Sequence, residues 1–148
     1  MSDEKYAFRK LPEIFYYEFQ SEGPKGTIRK VVRYSLIQES PVRIYNLGFG
    51  DWDNETDDIN DKTITNNEDR QKVLATVADT VINFISHHPD AFVFAQGSTP
   101  ARTRLYQMGI ASFYDKIIIS FTVIGYVNGK WQPFKKGVNY EAFLIKRK

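Results

Sequence analysis

An α+β domain, with a mainly antiparallel sheet and two helices in the order β-β-β-α-β-α-β-β-β, is the fold class this sequence predicts. Three observations carry it. Aromatic and β-branched runs bounded by turn residues fill the first and last thirds of the chain. A single long apolar repeat at helical spacing, from Val73 to Ile85, lies between them. Asn128-Gly129, preceded by a β-branched run, marks a tight hairpin. The 148 residues are 42% hydrophobic and 15% aromatic, enough for one domain with a real core and too apolar for a disordered chain. No internal repeat or low-complexity linker divides them, so residues 1–148 read as one domain.

Taken in order, residues 1–12 are polar with scattered Tyr6, Phe8 and Leu11, and are expected to be loosely held. Ile14–Gln20 is an aromatic-rich strand, and Glu22-Gly-Pro-Lys-Gly26 is turn chemistry. Thr27–Ile37 is a second strand. Its alternation puts Ile28, Lys30, Val32, Tyr34 and Leu36 on one face, and Arg29, Val31, Arg33, Ser35 and Ile37 on the other. Val42–Gly50 is a third strand, whose Gly48 and Gly50 suggest a bulge or a close approach of other backbone. Asp51–Asp61 is a loop with six carboxylates. It departs from the EF-hand template, with Thr56 in place of the sixth-position glycine and Lys62 in place of the twelfth-position glutamate, so a solvated acidic turn is expected and no metal site.

Asn66-Asn67-Glu68-Asp69 signals a helix start, and the repeat Val73, Leu74, Val77, Ala78, Val81, Ile82 and Ile85 carries the helix to about Ser86. His87 and His88 follow at its negative end, where capping and exposure suit them, although paired histidines can also be ligands or a base. Ala91–Ala95 is a short continuous apolar strand of the kind found mid-sheet. A second helix runs from Pro100 to Gly109 or slightly beyond, with Ala101, Leu105, Met108 and Ser112 as its core stripe. Ile117–Val127, Lys130–Phe134 and Tyr140–Ile145 complete the strands.

Charge is unevenly distributed. Residues 51–99 carry three basic against ten acidic side chains, net −7, and residues 100–148 nine against two, net +7. This points mildly to an anionic partner for the last third, unless the two segments simply face each other. There is no cysteine, which excludes disulfides, thiolate metal sites and cysteine nucleophiles. The charged N-terminus lacks a signal-peptide apolar run, and Ile117–Ile124 is too short and β-branched to span a bilayer. A cytoplasmic protein without a membrane partner is expected.

The chemistry concentrates at Gly97-Ser98-Thr99-Pro100, between a strand and a helix. Thr99 suits the N-cap and Pro100 the first helical position, where unpaired N–H groups favour an anion. Arg102 falls at the third helical position, where a cation opposes the dipole. Rules of this kind are broken mostly at functional sites or where a neighbour compensates. The candidate anion-binding set is therefore Gly97, Ser98, Thr99, Arg102, Arg104 and Tyr106, the alternative being arginines paired with carboxylates of the 51–61 loop or with Asp90. The spacing makes no Walker loop, and there is no nucleophile elbow or His-Glu-x-x-His. No cofactor is expected.

The segments GPKGTIRKVVRYS, YNLGFGDWD, NNEDRQKVLATVADTV, FAQGSTPARTRLYQMG and NYEAFLIKRK resemble an uncharacterised family of small bacterial proteins, in which a domain of unknown function makes up the whole chain. The resemblance extends over nearly all of residues 16–148 and implies no activity, cofactor or site residue. Three functions stay open. The first is a binding protein for a phosphate-bearing ligand, nucleic acid above all, in which Tyr106, Trp131, Phe134 and Tyr140 interleave with Arg102, Arg104, Lys130, Lys135 and Lys136. The second is a small metal-independent enzyme acting on phosphodiesters or nucleotides, such as a toxin of a toxin–antitoxin pair, with His87 or His88 moving the proton, the arginines holding charge and Tyr106 or Tyr140 donating. The third is a non-catalytic interaction protein, as a homodimer or with another protein.

Overall fold

The computed structural model describes residues 4–10, 15–60 and 66–148. Among these residues nine strands and three helices follow in the order β1 (Arg9–Lys10), β2 (Tyr16–Gly23), β3 (Gly26–Gln38), β4 (Arg43–Asp53), β5 (Asp58–Asn60), α1 (Arg70–His87), β6 (Ala91–Ala95), α2 (Pro100–Ser112), α3 (Tyr114–Ile117), β7 (Phe121–Val127), β8 (Lys130–Pro133) and β9 (Ala142–Arg147). The expected order is present, with β1, β5 and the single turn α3 added to it. The strands form one sheet in the order β1-β2-β3-β4-β6-β9-β7-β8, with β5 paired to β4. The chain is mixed α and β, and its sheet is antiparallel except for the β4–β6 pair.

Alternation along the strands explains why one face is buried. Tyr17 and Phe19 of β2, Val32 and Tyr34 of β3, and Tyr45, Leu47 and Phe49 of β4 share one side by register and are buried. All three helices pack there, and α1 buries Val73, Leu74, Val77, Val81 and Ile85 of the expected repeat, together with Phe84. Phe84 stacks on Tyr34 at 4.2 Å between ring centres. Burial holds the phenol of Tyr17 up to about 12, and that of Tyr34 well above its ordinary value.

The hairpin at Asn128-Gly129 forms as expected, both residues having positive φ (52° and 76°), with Val127 opposite Lys130. Gly50 also matches its reading, because a Cβ there would run into the Asn60 carbonyl. The acidic stretch is not an open loop: β4 continues to Asp53, and the chain turns back into β5. Two of its carboxylates meet cations of β3, Asp51 bonding Lys30 at 2.5 Å and Asp58 bonding Arg33 at 3.1 Å. Asp61 at the end of that stretch, Lys62 after it, Leu11 and Pro12 of the N-terminal segment and Ile14 at the predicted start of the first strand lie outside the described residues.

Ile117 to Ser120 do not belong to the seventh strand. Pairing with β9 ends at Phe121 opposite Arg147, so the preceding isoleucines have no ladder to join. Tyr114–Ile117 instead coils into α3, burying Ile117 and leaving Ile119 75% exposed. Residues 4–10, expected to be loosely held, are tied down. The Tyr6 N–H donates to Thr76 at 2.8 Å, its hydroxyl donates to Asp69 at 2.5 Å, and its ring stacks on Phe19. Asn67, read as a helix cap, is a tertiary tie: buried, it accepts from the Lys25 N–H and donates to the Gly26 carbonyl, fixing the β2–β3 hairpin to the start of α1.

Candidate functional site

The corner between β6 and α2 is held by its own short-range bonds. Thr99 is extended (φ −137°, ψ 160°), and its hydroxyl accepts from the Arg102 N–H at 3.2 Å, so it caps the helix as its residue type predicts. Its carbonyl accepts from the Thr103 N–H at 3.0 Å, and the Thr103 hydroxyl accepts from the Gly97 N–H at 3.0 Å. Gly97 is required by space, since a Cβ there would stand 2.5 Å from the Arg102 Cβ and the Thr103 nitrogen. The corner lies at the carboxyl end of β6, the strand that runs parallel to β4. That is where sheets with parallel strands leave room for ligands.

Gly97, Ser98, Thr99 and Arg104 line one open cleft of about 420 Å³. Gln96, Asn139 and Glu141 close its other side. Arg104 is exposed and makes no ion pair among the described residues. Glu141, exposed, is the acidic residue of that lining.

The other two members of the predicted set lie elsewhere. Arg102 turns inward and is 5% exposed. Its Nη2 donates to the Phe49 carbonyl of β4, and its Nη1 is buried with no hydrogen-bond partner among the described residues. Tyr106 is buried against an apolar cavity of about 50 Å³ between α1 and the sheet, beside Leu47, Leu74 and Ile145.

Both placements follow from the rotation of α2, which differs from the expected one. Arg102, Thr103, Tyr106, Gly109 and Ile110 form the buried stripe, while Ala101 and Met108 are exposed and Leu105 and Ser112 half-buried. Apolar residues in α2 are spread around the axis, so hydrophobic pattern does not choose a face. The cap at Thr99, the Arg102 bond to β4 and the close approach of Gly109 to Leu74 choose it instead.

The remaining sequence candidates are accounted for similarly. Tyr140 and Phe134 are buried, and the Tyr140 hydroxyl accepts from the Lys135 N–H at 2.9 Å and donates to the Pro133 carbonyl. His87 is exposed and bonds the Asn83 carbonyl through Nδ1 at 2.8 Å. His88 caps α1 through its backbone N–H and packs its ring 4.7 Å from that of Phe15 and 4.6 Å from that of Phe84. Both histidines precede β6, whereas the corner follows it. At ~3.3 Å per residue, the five residues between put the two ends roughly 15 Å apart. Among the described residues no group of three or more His, Asp or Glu is placed to hold a metal ion.

Apart from Trp131, sequence reasoning missed the residues that make up the second face of the sheet at this end. Phe92 and Phe94 alternate with the buried Ala91, Val93 and Ala95, so they point away from the helices. By register Leu144 and Lys146 of β9, Ile124 and Tyr126 of β7 and Trp131 of β8 share that side. No helix covers it among the described residues. The alternation Phe-Val-Phe carried the signal, masked by the apolar character of all five residues.

A family of unknown function, DUF6934, matches residues 2–148 of the chain. No curated protein and no solved structure matches it.

Proposed function

The chain belongs to the DUF6934 family, and we propose that it binds a phosphate-bearing ligand in the cleft at the β6–α2 corner. One observation carries this reading: Arg104, exposed and without an ion pair among the described residues, lines the same cleft as Ser98 and Thr99 at the start of a helix. A guanidinium presents a planar fork of donors suited to phosphate, and hydroxyls beside it add further donors. Glu141 in the same lining disfavours a second anion and can accept from hydroxyl groups. That pairing favours a phosphate carried on a sugar over a free polyanion.

Titration calorimetry with inorganic phosphate, ribose 5-phosphate and nucleoside monophosphates tests the reading. Sugar phosphates are expected to bind more tightly than phosphate alone. Arg104→Ala is expected to cost ~1.5–3 kcal/mol of affinity, the range for a hydrogen bond to a charged group. No heat from any of them at millimolar concentration, or equal binding by the variant, would count against the cleft. The phosphodiester-acting reading relies on His87 or His88 to move the proton, and both stand at the other end of β6 from the corner.

A further inference from the structure

The uncovered face of the sheet adjoins that cleft and has a composition of its own. Trp131 is 42% exposed, its ring 5.2 Å from Tyr126 and 6.3 Å from Phe94. Phe92 lies two residues further along β6, with the Lys146 ammonium 5.6 Å from its ring centre. These side chains come from four adjacent strands, β6, β9, β7 and β8, and are on one side by register. The run reaches the corner through Gln96. That residue is in step with Phe94 on the same face, bonds the Glu141 carbonyl at 3.3 Å and lines the cleft.

We propose that this face stacks the bases of a single-stranded nucleic acid, with Trp131, Tyr126, Phe94 and Phe92 as the platforms and Lys146 on the strand's backbone. The proposal rests on the corner reading, in that the cleft takes a phosphate of the same strand. The chemistry selects this occupant. Aromatic planes beside a cation fit unpaired bases linked by phosphates, whatever the sequence. A duplex hides its base faces and offers nothing to stack. A second copy of the chain would set Lys146 against the same surface, whose Phe92, Phe94, Ile124, Tyr126, Trp131 and Leu144 include no carboxylate to pair with it. Lys146-Arg147-Lys148 adds positive charge at the end of β9 beside the platform, with Arg147 alternating onto the other face.

Fluorescence anisotropy of the whole chain with a labelled single strand of about 12 nucleotides, as RNA and as DNA, tests this between about 50 and 200 mM salt. Affinity is expected to fall with salt, and to drop about 5- to 150-fold in Trp131→Ala, with Phe94→Ala in the same direction. Trp131→Phe keeps a ring and is expected to recover most of the loss, which separates stacking from any effect on folding. No binding at low salt, or unchanged affinity in Trp131→Ala, overturns the proposal. Light scattering that shows a dimer abolished by Trp131→Ala, in a chain that binds no oligonucleotide, overturns it in favour of a second copy. The corner fails separately. Ribose 5-phosphate bound through Arg104 without oligonucleotide binding leaves the corner standing and removes the platform. Oligonucleotide bound through Trp131 with Arg104→Ala unchanged does the reverse.

Discussion

On the helix-covered face of the sheet, Lys30 is 1% exposed and bound to Asp51, and Arg102 is held by the Phe49 carbonyl. On the opposite face Arg29 and Arg33 make pairs of the same kind, with Glu18 and Asp58, yet keep 43% and 37% of their side chains in water. Arg29 also lies 4.7 Å from the ring centre of Trp52. Both covered cations are anchored to β4, Lys30 to Asp51 directly opposite it in register and Arg102 to Phe49 between the stretches of β4 that pair with β6 and β5. There a lost partner is not replaced by solvent. On the open face water stands in for a missing partner, so a cation there is available to a ligand at little cost to the fold.

Stability of two variants should separate the faces most strongly. Lys30→Ala takes the buried cation away from Asp51 beside the core and is expected to cost ~3–5 kcal/mol, whereas Arg33→Ala should cost no more than ~1 kcal/mol. Urea unfolding of both, read by fluorescence, makes the comparison. Equal losses would mean that burial does not distinguish the two pairs.

A second contrast lies within α2. Arg102→Ala orphans the Phe49 carbonyl and is expected to lower stability by ~1–3 kcal/mol, while Arg104→Ala should stay within ~0.5 kcal/mol. Thermal unfolding of the two proteins, alongside their affinities for sugar phosphate, would test the division between a fold-fixing and a ligand-binding arginine. A stable Arg102→Ala chain that has lost the ligand would reassign it to the site.

The mildest effect concerns pH and the covered face alone. A phenol whose folded-state pKa is raised keeps its proton longer in the folded chain than in the unfolded one. Tyr17 and Tyr34 therefore leave stability unchanged below pH ~10, and subtract from it as pH rises from ~10 through about 12. Tyrosinate absorbance followed with melting temperature would show it, and Tyr34→Phe should flatten part of the decline. A melting temperature independent of Tyr34 across that window would be the contrary result.

Local pattern determined much of this protein by itself. Strand β6 has the bounds its sequence predicts, Asn128-Gly129 turns as its φ requirement dictates, β3 divides its two faces as alternation requires, and α1 buries its apolar repeat. Each of these follows from side chains within a few residues of one another, where period and steric preference suffice. The corner's cap and its glycine were legible for the same reason. Tertiary structure alone decided that β6 lies between β4 and β9, that Lys30 meets Asp51, and that α2 turns Arg102 inward and Arg104 outward. These depend on which distant segments become neighbours, and a helix with no dominant apolar face takes its rotation from what it packs against. The uncovered aromatic face belongs with them, because alternation tells which residues share a side and only the placement of the helices tells which side is left to water.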